Sequence, residues 1–194
     1  SVDIADETNA TFLELDSYYD ETFKFKSSMY SLPVNIKEPD FSDETLVTSL
    51  TQQTIADGFN LMESCVYSGS DYSQYVDIEM LSRFLAGNDL IYNQELSHPK
   101  SVFLYREDCN SDESKYVFGP LWDCDWAYGY DGSGSYFSVK DTSDFFDTMS
   151  GGRPGTNFFN ALRDNERVIG KYYYKIWSDF MAGSLDELVD FVGE

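Results

Sequence analysis

Apolar and polar residues exchange at nearly every position in Thr11-Phe12-Leu13-Glu14-Leu15-Asp16 and again in Thr22-Phe23-Lys24-Phe25-Lys26. That is the period of a half-buried strand, and two antiparallel strands joined across Tyr18 to Glu21 are expected. Leu32-Pro33-Val34-Asn35-Ile36-Lys37 reads as a third extended piece, stopped by Pro39. The chain opens on what reads as the later part of a sheet, so further N-terminal strands are expected to be missing from it.

From Ser42 the period changes. Leu46, Leu50, Ile55, Phe59, Met62 and Val66 recur at three- to five-residue steps, one face of a helix over 43–66 with Ser42 as N-cap and Gly69 as its stop. A second helix starts after Asp77 as N-cap and buries Ile78, Leu81, Phe84 and Leu85, then gives way to a polar loop from Asn93 to Lys100. Ser101 to Arg106 and Lys115 to Leu121, rich in Val, Phe, Tyr and Leu, flank the turn residues Cys109-Asn110-Ser111-Asp112 and predict a hairpin lying beneath the first strands. Two Gly-rich stretches follow, one running to Ser143 and one around Gly151 to Gly155, and read as surface loops. Val168, Ile169, Tyr172, Ile176 and Phe180 mark a helix over 166–181 whose stripe belongs to the core, and Ser184 with Glu187 forms a capping box for a last short helix.

Charge narrows what such a chain can do. Its 194 residues carry 35 acidic and 13 basic side chains, a formal net charge of -22. A nucleic-acid binder needs a basic face, and 13 cations cannot cover one. No stretch approaches the roughly 18 to 20 consecutive apolar residues of a membrane span, and none reads as a signal peptide. With 15 Tyr, 15 Phe and 3 Trp the chain can bury a sizeable core, so disorder is not expected and one globular domain over 1–194 is. Three scattered cysteines, Cys65, Cys109 and Cys124, make neither a disulfide framework nor a paired zinc site, and reduced apolar fillers are the simpler reading.

The most informative chemistry is at Asp123 and Asp125, which follow a predicted strand and are flanked by Trp122 and Trp126. Carboxylates two apart in extended chain point to the same side and repel each other unless a proton or cation neutralises them. A divalent cation is the stronger answer, and oxygen-only ligands favour magnesium, manganese or calcium over zinc or copper. The alternative is that one Asp caps a turn while the other is solvated.

Residues 119–129, Gly-Pro-Leu-Trp-Asp-Cys-Asp-Trp-Ala-Tyr-Gly, resemble the Gly-Pro-x-Trp-Asp-Phe-Asp-x-Ala-Phe-Gly signature of the spore coat protein H (CotH) kinases, atypical and mostly secreted kinases with a protein-kinase-like fold. Further pieces agree in order: Phe12-Leu13-Glu14-Leu15-Asp16-Ser17-Tyr18-Tyr19-Asp20-Glu21, Ile36-Lys37-Glu38-Pro39, Tyr75-Val76-Asp77-Ile78-Glu79 and His98-Pro99-Lys100-Ser101 with Leu104-Tyr105-Arg106. The resemblance implies an α+β kinase-like fold, mainly the helical C-terminal lobe over 41–194 with a few strands over 11–40. It also implies phosphoryl transfer from ATP to protein Ser/Thr hydroxyls, with Mg2+ or Mn2+, or Ca2+, held by Asp123, Asp125 and Asn93. Relatives commonly show Asn-x-Asp where this chain has Asn93-Gln94-Glu95, which makes Glu95 the candidate base, with a carboxylate moved by more than an angstrom. Lys100 either neutralises phosphate directly or is a solvated loop lysine. Lys37 either faces the nucleotide or guards a sheet edge. His98, the single histidine, precedes a proline and is given a structural role.

Two functions from different classes follow. One is an extracellular or cell-surface, metal-dependent kinase acting on a secreted or surface protein. The other is an inactive, metal-stabilised module that binds a polysaccharide or protein through Tyr128, Tyr130, Tyr136 and Phe137. Glu95 with Asp123 as a glycosidase pair is a third and weaker reading.

Overall fold

The computed structural model describes residues 9–128, 130, 145–149 and 151–193. The stretch running to Ser143, with Tyr136 and Phe137, lies outside the described residues. The architecture is α+β, a small antiparallel sheet with helices packed against one face.

Five strands, β1 (Thr11–Leu15), β2 (Lys24–Lys26), β3 (Pro33–Glu38), β4 (Val102–Arg106) and β5 (Val117–Phe118), run in the order β2-β3-β1-β4-β5. The first two strands therefore do not pair with each other, because β3 inserts between them. The reason is local: the turn from Ser27 to Ser31 is short and closes β2 onto β3, with Phe25 opposite Val34 and the N–H of Ile36 donating to Phe23 O at 2.9 Å. The hairpin of β4 and β5 lies beside β1, with Leu13 opposite Leu104, so it continues the sheet and does not pass beneath it.

Period-two alternation decides what each face meets. Leu13, Leu15, Val34, Ile36, Val102 and Leu104 are buried against the helices. Phe12, Glu14, Phe103 and Tyr105 take the other face and are half-buried, with the Phe12 and Phe103 rings stacked at 5.4 Å. Each fully buried aliphatic contributes about 1.5–3 kcal/mol, so a one-residue slip would cost the whole set.

Helix α1 spans Gln52–Tyr67 and starts nine residues later than the Ser42 cap predicts. Asp40 and Asp43 instead accept from the backbone N–H groups of Ser42 and Thr45, holding 40–45 in turns. Thr51 and Thr54 then make a reciprocal capping box, and Gly69 ends the helix at φ 66. Glu63 on α1 is fully buried yet satisfied: it accepts from the Ser27 hydroxyl and from the backbone N–H of Met29 at 2.9 Å and of Tyr30 at 3.0 Å. A helix carboxylate thus sets the β2–β3 turn.

Helix α2 (Ile78–Leu90) is capped by Asp77 as its sequence predicts, and α3 is a four-residue piece, Phe145–Thr148, with both phenylalanines buried. Of the loop that the sequence predicts over Gly151 to Gly155, only 151–153 are turn and bend; Pro154 opens helix α4 (Pro154–Asp164), where a missing N–H costs nothing. Helix α5 (Glu166–Asp179) packs on α2, and α1 packs on α4. Its buried residues are Ile169, Gly170 and Tyr173; Val168, Tyr172, Ile176 and Phe180 of the expected stripe are only half-buried. A π turn over Phe180–Ser184 joins α5 to α6 (Leu185–Gly193) without a break, and Ser184 makes no cap because helical dihedrals continue through it to Leu185.

Candidate functional site

The site is built on the segment that leaves α2. The N–H of Asn93 donates to Asn88 O at 3.1 Å and its Nδ2 to Asn88 Oδ1 at 2.9 Å, while Asn88 Nδ2 donates to Phe84 O at 2.8 Å. Asn93 Oδ1 in turn accepts from the N–H of Glu95 at 3.3 Å and caps a 3-10 turn over Gln94–Ser97. In this way a buried amide ladder carries the rigidity of a helix to Glu95.

Glu95 is 1% exposed, and neither carboxylate oxygen has a hydrogen-bond partner among the described residues. Lys100 Nζ lies 3.5 Å from Oε1, an ion pair at the long limit of a hydrogen bond. Burial raises the Glu95 carboxyl above the usual range; Lys100 opposes that, and the negative charges of Asp123 and Asp125 add to it. The same three carboxylates, after burial, raise the thiol of Cys124. All three cysteines are free and half-buried.

The acidic loop reaches Glu95 by a route the strand pattern does not contain. Asp123 has φ 53 and Ser101 φ 54, both in the left-handed region, and the Ser101 hydroxyl donates to Asp123 Oδ2 at 3.3 Å. Asp125 and Trp126 form a turn closed by the Ala127 N–H on Cys124 O at 3.1 Å. Extended geometry therefore does not set the two aspartates on one side. They are gathered by the loop's docking: Gln94 N–H donates to Trp126 O at 3.2 Å and Tyr128 N–H to Ile91 O at 2.6 Å.

His98 rests beside Trp126, ring centroids 5.2 Å apart, and its Nδ1 faces Arg153 Nη1 at 3.1 Å. Because a guanidinium only donates, Nδ1 is assigned as the acceptor and the ring proton lies on Nε2. Burial, then Arg153 and Lys100, depress the imidazole below its ordinary value, which suits a neutral structural ring. Behind it, α4 starts so close to the segment that a Cβ on Gly155 would lie 1.9 Å from Leu96 O.

Lys37 belongs to a different cluster. Its ammonium pairs with Glu21 and, at 3.4 Å, with Glu14 Oε2. Since β3 has neighbours on both sides, Lys37 does not guard a sheet edge. The structure thus brings together Asn93, Glu95, Lys100, Asp123 and Asp125, and leaves Lys37 with its own carboxylates.

Sequence reasoning missed Ser101, Arg153, Gly155 and an apolar cavity. That cavity, of about 700 Å3, is lined by Phe12, Phe84, Tyr105 and Leu121 with Arg83 and Glu38, and it ends two residues before Asp123. Gly155 carried a weak signal, a glycine just inside a proline-initiated helix. Ser101 stood in the His98-Pro99-Lys100-Ser101 piece, but nothing there pointed to its bond with Asp123.

Residues 7–188 match the family model described as CotH kinase protein. The chain belongs to the CotH kinase family. No curated protein and no solved structure matches it. A CotH domain is a kinase-like domain, and kinase-like domains in general use ATP and a divalent metal.

The residues of this CotH site fit such an ion. Glu95 presents a buried carboxylate with no hydrogen-bond partner among the described residues, and the carboxylates of Asp123 and Asp125 lie near it. Among the described residues no group of three His, Cys, Asp or Glu side chains is set to hold a metal by itself.

Proposed function

We propose that this domain is an ATP-dependent protein kinase that transfers the terminal phosphoryl group to Ser or Thr hydroxyls. The observation that carries the reading is Glu95: a carboxylate 1% exposed, without hydrogen-bond partners among the described residues, its pKa raised by burial, and facing Lys100 and the aspartate loop. Such a group is expensive to keep unless it is used.

Glu95 accepts the proton of the acceptor hydroxyl as that oxygen bonds to the terminal phosphorus. The bond from phosphorus to the bridging oxygen breaks, and ADP leaves with the electron pair. Lys100 meets the negative charge on the transferring group and stabilises Glu95 before it. Asp123, held by Ser101, and Asp125 bind magnesium or manganese, which when present neutralises the phosphates. Asn93 positions Glu95 by accepting from the Glu95 N–H at its Oδ1, and its ligand role is secondary to that. Lys37 serves the nucleotide if Glu14 and Glu21 release it. The acidity of the chain and its family support an extracellular or cell-surface setting with a secreted or surface protein as acceptor.

The test is transfer of labelled terminal phosphate from ATP to a mixture of surface proteins, by the parent and by Glu95→Gln. The substitution keeps the shape and removes the base, so turnover falls by roughly 100-fold or more while the KM for ATP barely moves. Equal rates would place the base elsewhere. The second reading, a metal-stabilised binding module, draws on Trp122 and Tyr128, which are 64% and 70% exposed at the two ends of the acidic loop. It expects a calcium-dependent melting shift to which ATP adds nothing.

A further inference from the structure

The ring of Tyr18 is 71% exposed, so burial does not explain where it sits. Its placement is nevertheless fixed from two sides. The Tyr18 N–H donates to Asp16 Oδ1 at 2.7 Å, and the Ser17 N–H crosses to Pro99 O at 2.8 Å, tying the loop after β1 to the residue before Lys100. Lys100 Nζ then lies 5.3 Å from the Tyr18 ring centroid and 3.5 Å from Glu95 Oε1. The ammonium is held between an aromatic ring and a buried carboxylate.

We propose that Tyr18 is a positioning residue that holds Lys100 over Glu95. A lysine is a point charge on a flexible four-carbon stem, and water competes for it strongly. A ring face on its open side attracts the cation and excludes part of that water. Lys100 therefore stays within reach of Glu95 and of the group Glu95 acts on. Because the loop carrying Tyr18 leaves the sheet strand β1, the sheet fixes a charge in the helical part of the site. The role in turnover rests on the kinase reading above; the contact and its effect on Glu95 do not.

The experiment uses the whole chain labelled with 13C at lysine and glutamate, with the Lys100 ε-methylene assigned by Lys100→Arg and the Glu95 carboxyl carbon by Glu95→Gln. In the parent the Lys100 ε-methylene is displaced upfield by the Tyr18 ring. Tyr18→Phe preserves that displacement; Tyr18→Ala abolishes it and moves the Glu95 carboxyl carbon. Where transfer activity is measured, Tyr18→Ala lowers kcat roughly tenfold with KM for ATP changed less than about twofold, and Tyr18→Phe restores kcat. A Lys100 resonance that ignores the Tyr18→Ala change overturns the contact. A lost displacement with an unmoved Glu95 carbon, or with unchanged kcat, overturns the positioning role. If the parent transfers no phosphate, the kinase reading fails and the two resonances still decide the proposal.

Discussion

At the scale of single residues, the site depends on which carboxylates are answered by a cation. Glu14 and Lys37 give the cleanest case, because burial raises the Glu14 carboxyl while hydrogen bonding to Glu21 and the charge of Glu14 raise the Lys37 ammonium. A raised carboxyl pKa means stability that is fully present below the ordinary glutamate range and is lost as pH rises through the native value. A raised lysine pKa adds stability up to the ordinary lysine range, but only while the carboxylates that raise it are ionised, so for Lys37 it fades at the acid end as they take up protons. Lys37→Met removes the second and enlarges the first, since Glu14 is left buried with less positive charge nearby. The variant should match the parent at about pH 4 and fall behind it toward pH 7, by about 1 kcal/mol or a few degrees of melting temperature. A gap that stays constant from pH 4 to pH 7 would show that Lys37 acts through packing of its stem. Residue identity was legible here only in part: Glu95, Lys100, Asp123 and Asp125 could be named from the sequence, but a partner such as Ser101 or Tyr18 is chosen by loop geometry that no local pattern encodes.

At the scale of elements, periodicity read the strands and α2 well because their alternation and cap are local facts. It failed wherever another element decided the outcome. The short turn that closes β2 onto β3 and keeps β1 from pairing with β2 is braced from outside by Glu63 on α1. The start of α1 depends on competition between Asx turns at 40–45 and the Thr51 box, and the apolar Leu46 and Leu50 continue the helical stripe into residues that are not helical. Helix α4 has the most direct bearing on function. Its Gly155 faces the carbonyls of Leu96 and Ser97 and the ring of Pro99, at 1.9, 2.9 and 2.9 Å from where a Cβ would stand. A backbone carbonyl cannot yield as a side chain can, so Gly155→Ala must push α4 and the Glu95 segment apart. We expect a loss of about 1–3 kcal/mol, the range of an overpacked core, and a fall in transfer activity larger than the stability loss explains at a temperature where the variant is folded. Gly151→Ala is the control, since a Cβ there meets nothing within 4 Å among the described residues. If both variants melt and react like the parent, α4 does not hold the segment in place.

At the scale of the whole molecule, a net charge of -22 repels itself, and any added salt will screen it. A specific metal site must therefore be separated from that general effect. We expect magnesium or manganese at millimolar concentration to raise the melting temperature more than sodium chloride of equal ionic strength, and ATP to add a further rise only when the divalent ion is present. At a concentration 100 times the dissociation constant the stabilisation is about 2.7 kcal/mol, roughly 5 to 10 °C for a chain of this size. Asp123→Asn isolates the cause. Asparagine tolerates the left-handed φ of 53 at least as well as aspartate and removes one of the negative charges around Glu95, so the metal-free variant should be as stable as the parent or slightly more so. In that variant the metal-specific rise and the ATP rise should both disappear, while the rise with sodium chloride remains. A binding module stabilised by calcium would lose only the first, because ATP would never have contributed. A parent whose melting temperature follows ionic strength alone, with or without ATP, would make the two aspartates structural and leave Glu95 without the metal that the kinase reading assigns beside it.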